Sequence, residues 1–195
     1  MVCDIKITGR NKFAGLGADG KGGFFMKINA KYIAFLGMLL ALAVAAGYFE
    51  RLIPPIIPAI PGIKLGLPNI AVIILLYIKD YKTAFILNIF RVLLSGFLFT
   101  GPRGMIYGLS GALLSFIVMA VLKKSDGFGT VGVSAAGGVF HNLGQICVAA
   151  LLVNNIKLFY YFPVLILFGT ITGMIVGYLS GLIINRLNKI TLERL

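Results

Sequence analysis

From Met26 onward the chain alternates between long apolar runs and short stretches where lysine, arginine, glycine and proline collect. The runs lie at about Tyr32–Phe49, Leu67–Ile78, Lys82–Phe99, Gly104–Leu122, Val131–Val153 and Phe159–Leu187. A helix needs roughly 17–25 apolar residues to cross a bilayer, and all the runs but the second are that long or longer. Backbone groups inside lipid have to pair within their own segment, so such runs predict helices. The expected fold is an all-α integral membrane bundle of about six transmembrane helices, forming a single domain over 26–195. The second run is short and is expected either to begin earlier or to be shielded by protein. Pro68 and Pro163 fall in first turns, where a missing N–H does no harm. The connection Pro54-Pro55-Ile56-Ile57-Pro58-Ala59-Ile60-Pro61-Gly62 holds four prolines and cannot be regular helix. Its place beside the bundle makes it a candidate gate.

The cations sort by connection. Lys27, Lys31, Lys79, Lys82, Lys123, Lys124, Arg186, Lys189 and Arg194 fall on one side, and Arg51, Lys64, Arg103 and Lys157 on the other. The richer side is expected to be cytoplasmic, with both termini there, which requires an even number of spans. Composition agrees with a membrane solvent: 59% of residues are hydrophobic and 12% charged, against about 25% charged in soluble domains. The formal net charge of +12 is therefore a topology signal, and no nucleic-acid partner is expected. The expected location is a bacterial cytoplasmic membrane.

Residues 1–25 are glycine-rich, polar and aperiodic, and read as a disordered leader or as a mis-assigned start upstream of Met26. Within them Gly15-Leu16-Gly17-Ala18-Asp19-Gly20-Lys21 comes close to a phosphate-binding loop. Gly22 stands where that loop needs Ser or Thr, and no strand precedes it. Two cysteines and one histidine offer neither a disulfide framework nor a zinc site. No adjacent aspartates, no mid-membrane carboxylate and no nucleophile–histidine set can be assembled, so no catalytic residue, metal or covalent cofactor is expected.

Small residues recur every fourth position. The last run carries Gly169, Gly173, Gly177 and Gly181. The fourth carries Gly104, Gly108 and Ala112, and the fifth Gly132, Ala136, Gly137, Gly138 and Gly144. Such stripes let helix backbones approach closely in lipid. Spans 4 to 6 should form a tightly packed unit. In the first run Ala41 and Ala45, with Ala43 and Gly47 one face over, could instead dock a partner.

Polar residues at membrane depth are the candidate chemistry. His141 and Gln145 are four apart on one face, with Asn142 beside them, and they suit either a hydrogen-bonding ligand site or a satisfied interhelical network. Arg91 sits mid-span, one turn after Asn88. It could meet an anionic ligand group, pair internally or cap carbonyls. Acidic partners are scarce, and Glu50 alone lies near a wall of the bundle. Thr100-Gly101-Pro102-Arg103-Gly104, flanked by Phe97, Phe99 and Tyr107, suits an anion and a planar ring, or is an ordinary turn with interfacial aromatics.

Three segments carry a resemblance: Glu50-Arg51-Leu52-Ile53-Pro54 running on to Lys64-Leu65-Gly66-Leu67-Pro68-Asn69, then Gly104-Met105-Ile106-Tyr107-Gly108-Leu109-Ser110-Gly111, then Gly138-Val139-Phe140-His141-Asn142-Leu143-Gly144-Gln145. They resemble the family labelled Gx transporter or heptaprenyl diphosphate synthase component I, over about Met26 to Leu187. That family is similar to the six-helix S components of energy-coupling-factor vitamin transporters. The resemblance implies a transporter or substrate-binding subunit for a small vitamin-like molecule, with a flavin as the first expectation and energy-coupling or redox membrane subunits as partners. Its older label implies the alternative, a non-catalytic accessory subunit of a prenyl diphosphate synthase or redox complex. The expected ligand contacts are His141, Asn142, Gln145, Arg91, Asn88, Arg103, Tyr107 and Glu50.

Overall fold

A computed structural model describes residues 30–52, 65–78, 81–125 and 127–192, without the side chains of Lys31 and 188–192. The leader at 1–25, the proline-rich connection at 54–62 and the charges Lys27, Lys64, Lys79, Asp80, Asp126, Lys189, Glu193 and Arg194 lie outside what is described. Among the described residues six α-helices follow in order: α1 Ala30–Leu52, α2 Asn69–Ile78, α3 Tyr81–Ser95, α4 Gly101–Lys124, α5 Thr130–Val153 and α6 Phe162–Leu192. A π-helical turn, Gly96–Thr100, joins α3 to α4, and a 3-10 turn, Ile156–Tyr161, leads into α6. No strand occurs among the described residues. The fold is the all-α apolar bundle expected, with several helices long enough to cross a membrane.

Helical backbone runs without a gap from Tyr81 to Lys124, yet this stretch is a hairpin. Asn88 meets Ala112, Val92 meets Gly108, Gly96 meets Met105, and the Phe85 and Phe116 rings lie 5.3 Å apart. Residue numbers that rise on one helix and fall on the other mark α3 and α4 as antiparallel. The pivot is Gly101, whose φ of 68° is in the left-handed region that glycine enters without strain. Pro102 then opens α4, its ring fitting a first helical turn. Span 4 therefore starts at Gly101 instead of Gly104, and the expected connection Thr100–Gly104 is mostly helix.

The same bookkeeping orders the whole bundle. Tyr32 reaches Thr83 and Gly47 approaches Ser95, so α1 and α3 run parallel. One end of the bundle carries Lys82, Lys123, Lys124 and Arg186, and will be called the lysine end. The other carries Arg51, Arg103 and Lys157, and will be called the arginine end.

Most of the small residues lie inside, with Gly108 and Ala112 against α3 and Gly132 exposed. A Cβ on Gly138 would stand 2.3 Å from the Gly169 carbonyl oxygen, and one on Gly173 would stand 2.7 Å from Ala135 Cα. Gly177 faces Thr130 and Val131 in the same way. Between α4 and α5, a Cβ on Gly144 would lie 2.6 Å from the Ser110 carbonyl, while the Ser110 hydroxyl donates to the Gly144 carbonyl at 3.0 Å. Backbone meets backbone at both seams, which only glycine permits. In α1, Ala43 is buried and Gly47 abuts Pro68, whereas Ala41 and Ala45 are exposed.

Helix α2 has ten residues, about 15 Å of helix at 1.5 Å per residue, half the hydrocarbon thickness of roughly 30 Å. Protein shields it on all sides: Val72, Leu75 and Leu76 are fully buried against α1, α3 and α6. Its C-terminal carbonyls need donors. Lys123 supplies one, its ammonium donating to the Leu76 carbonyl beneath the rings of Tyr77 and Tyr81. The apolar core around α2, including Leu39, Leu87, Phe116, Met119, Val133 and Val176, fills the lysine half. Phe49, Phe90, Phe97, Ile117 and Leu151 are exposed, as a lipid-facing surface requires.

Candidate functional site

The arginine half is less filled. A cavity of about 470 Å³ lies between the start of α2 and the facing walls of α1, α3, α4, α5 and α6. It reaches the arginine end at Leu65, Thr100, Leu158 and Tyr161, and descends to Met119 and Ser134. Ligand pockets typically have about 300–1,000 Å³ and a mostly apolar lining with a few converging polar groups.

Six of the eight expected contacts line it: Glu50, Arg91, Tyr107, His141, Asn142 and Gln145. Helix α5 brings three of them because 141, 142 and 145 share a helical face. They differ in what they are already doing. Asn142 is 9% exposed and donates through Nδ2 to the Leu165 carbonyl of α6 at 2.9 Å, so it acts as an interhelical tie. His141 and Gln145 pack against Gly111 of α4, where a side chain would collide with both. Gln145 has no side-chain hydrogen bond among the described residues, which leaves its amide available to a ligand.

Arg91 is 7% exposed. Its Nη2 donates to Asn88 Oδ1 at 2.8 Å, and its Nε is buried with no acceptor among the described residues. Asn88 in turn donates through Nδ2 to the Ala112 carbonyl at 3.1 Å. Asn88 does not line the cavity. It is 2% exposed, in the α3–α4 seam, and orients the arginine from behind. Arg103 does not line the cavity either; it is exposed in the first turn of α4.

Glu50 ends α1, 9% exposed, and its Oε1 accepts from the Gly66 N–H at 2.7 Å. Gly66 has φ +75°, the left-handed turn from which the chain enters α2. The carboxylate thus fastens the start of α2 to α1, while attracting the Arg91 guanidinium electrostatically. The aromatics near the π turn divide. Tyr107 faces the cavity, Phe97 is 80% exposed, and Phe99 stacks with Tyr48 and under the Arg51 guanidinium at 5.4 Å.

Sequence reasoning missed Arg51, Asn69, Ser95 and Thr172, all in the lining. Arg51 stood out as a charge on the outer side and within a quoted motif, with no ligand role attached. Asn69 stood in a quoted motif with no role attached. No group of three or more His, Cys, Asp or Glu side chains that could hold a metal occurs among the described residues.

A sequence profile of the family described as heptaprenyl diphosphate synthase component I matches residues 39–183. The chain belongs to that family. The match runs from within α1 to within α6, so it takes in every helix of this component I fold and most of the cavity wall. No curated protein and no solved structure matches the chain.

Proposed function

We propose that this chain is the ligand-binding membrane subunit of a larger system, taking a small organic molecule from the outer side of a bacterial cytoplasmic membrane into the α1–α6 cavity. The observation that carries this is the available amide of Gln145 beside His141 and Arg91 in a mostly apolar cavity of ligand size. The arginine end, where the cavity reaches the surface, carries fewer cations than the other, which supports an outward-facing mouth and cytoplasmic termini. On this reading a partner supplies the energy for transport or transfer, in keeping with a family described as one component of a larger enzyme.

The test is direct. Protein purified in mild detergent is extracted, its small molecules are identified, and riboflavin and other vitamins are titrated. A bound molecule that is lost when Ala149→Trp fills the cavity is the expected result. Purified protein that carries no small molecule and binds none of the panel would reject the reading.

The family description favours a second reading, an accessory subunit that assembles with a prenyl diphosphate synthase and does no chemistry itself. Mild-detergent capture separates the two. An accessory subunit retains a synthase partner and is indifferent to Ala149→Trp.

A further inference from the structure

Burying an arginine is costly unless its donors meet acceptors. Arg91 has five N–H donors, and Asn88 is its one hydrogen-bond partner among the described residues. Its Nε is fully enclosed and has no acceptor among the described residues. The arrangement is also stiff: Ala112 holds Asn88, and Asn88 holds Arg91. A cation fixed in advance by its neighbours loses little entropy when it binds a counter-charge.

The rest of the wall has the same sign. Arg51 lines the cavity, and the N-terminal end of α2 reaches it at Pro68 and Asn69. A helix N-terminus carries a partial positive charge, felt more strongly where protein and lipid exclude water. Helices that stop short inside a membrane commonly aim that end at an anionic group. Against these stands, among the described residues, one lining carboxylate, Glu50, which accepts from Gly66 and attracts both guanidiniums, so two cations and the helix end still outweigh it. The cavity therefore has surplus positive charge at one end and mostly apolar walls with a few uncharged polar groups elsewhere.

We infer that the ligand is an amphipathic organic anion, its carboxylate or phosphate seated on Arg91 and the start of α2, its apolar or planar body between α4, α5 and α6. The inference rests on the proposed function and gives that ligand its chemical class. Asn88 is a positioning residue for Arg91.

Two matched pairs test it on the full chain in lipid nanodiscs: riboflavin against flavin mononucleotide, and farnesol against farnesyl diphosphate. The first pair presents the anion on a water-soluble body and the second on a membrane-borne one. In wild-type protein the phosphorylated member of one pair binds about 10- to 100-fold tighter, the range for a charge-assisted hydrogen bond. Arg91→Gln abolishes that preference, Asn88→Ala reduces it with the arginine still present, and Arg91→Lys keeps part of it. Equal binding of neutral and anionic members in both pairs overturns the inference but leaves a small-molecule site standing, and this arm needs no variant to fold. A preference that survives Arg91→Gln also overturns it. If none of the four probes binds, the inference is overturned, while the proposed function stands or falls on the extraction and vitamin titration.

Discussion

Replacing Gly138 by alanine puts one methyl group at the tightest point of the bundle. The added Cβ stands 2.3 Å from the Gly169 carbonyl oxygen and 3.1 Å from its carbon, whereas ordinary contact begins at 3.4 Å. Helices α5 and α6 have to separate by about 1.1 Å there to accommodate it. Nothing softer can move, because the obstruction is backbone. A gap of 0.5–1 Å already forfeits about a quarter to a half of each dispersion contact along the seam. Overpacking of this kind costs about 1–3 kcal/mol. For a chain of this size that corresponds to roughly 3–10 °C in Tm. Thermal unfolding in one detergent, followed by fluorescence of a thiol dye that reacts at Cys147 in a Cys3→Ser background, measures it. Gly37→Ala is the internal control, since its Cβ meets nothing within 4 Å and should leave Tm within about 2 °C of wild type. A Gly138→Ala protein as stable as wild type, or equal loss in the Gly37→Ala control, would refute the packing argument.

Other consequences are testable in the same preparation. Asn142→Ala removes the tie to the Leu165 carbonyl and should cost about 0.6 kcal/mol, the average for interhelical hydrogen bonds in lipid, and at most about 1.7; an unchanged Tm would show that the tie is idle. Lys123→Met leaves the Leu76 carbonyl without its donor and should lower stability by about 1–2 kcal/mol, whereas Lys123→Arg should recover part of it in the same melt. Gln145→Leu should weaken ligand binding about tenfold with Tm unchanged, because the amide is available rather than structural; equal affinity in a titration would remove Gln145 from the site. In a cysteine-free background, Arg103→Cys should react with a membrane-impermeant maleimide from outside intact cells and Lys124→Cys should not. The reverse pattern would invert the orientation.

Much of the architecture was legible in the sequence. The boundaries of α1 and α5 fall within three residues of the apolar runs, and the brevity of the second run did signal a helix shielded by protein. The α6 glycine stripe announced the α5–α6 seam and Gly144 the α4–α5 one, since four-residue spacing places such residues on one helix face, but the Gly104–Gly108–Ala112 stripe turned to α3, and the α4 side of the α4–α5 seam is Ser110 and Gly111. The α3–α4 turn was read less well. Composition showed a connection at 100–104, but a proline tolerated in a first turn made Gly101–Gly104 helical and moved the bend to one glycine.

The candidate site divides along the same line. Sequence alone determined that the medium is lipid, that the structure is helical, and that Arg91, Asn88, His141, Asn142 and Gln145 lie at membrane depth. Lipid demands paired backbone and penalises polar side chains, and both demands are written residue by residue. Tertiary structure decided which of those groups face a shared space. Asn88 turned into the α3–α4 seam, Asn142 became a tie to α6, Arg103 stayed outside, and Glu50 was drawn in to hold Gly66 beside Arg51 and Asn69. In water an amphipathic stripe tells which face of a helix is inside. Here lipid is as apolar as the core, so the stripe is missing and only the packing of six helices could say what the cavity contains.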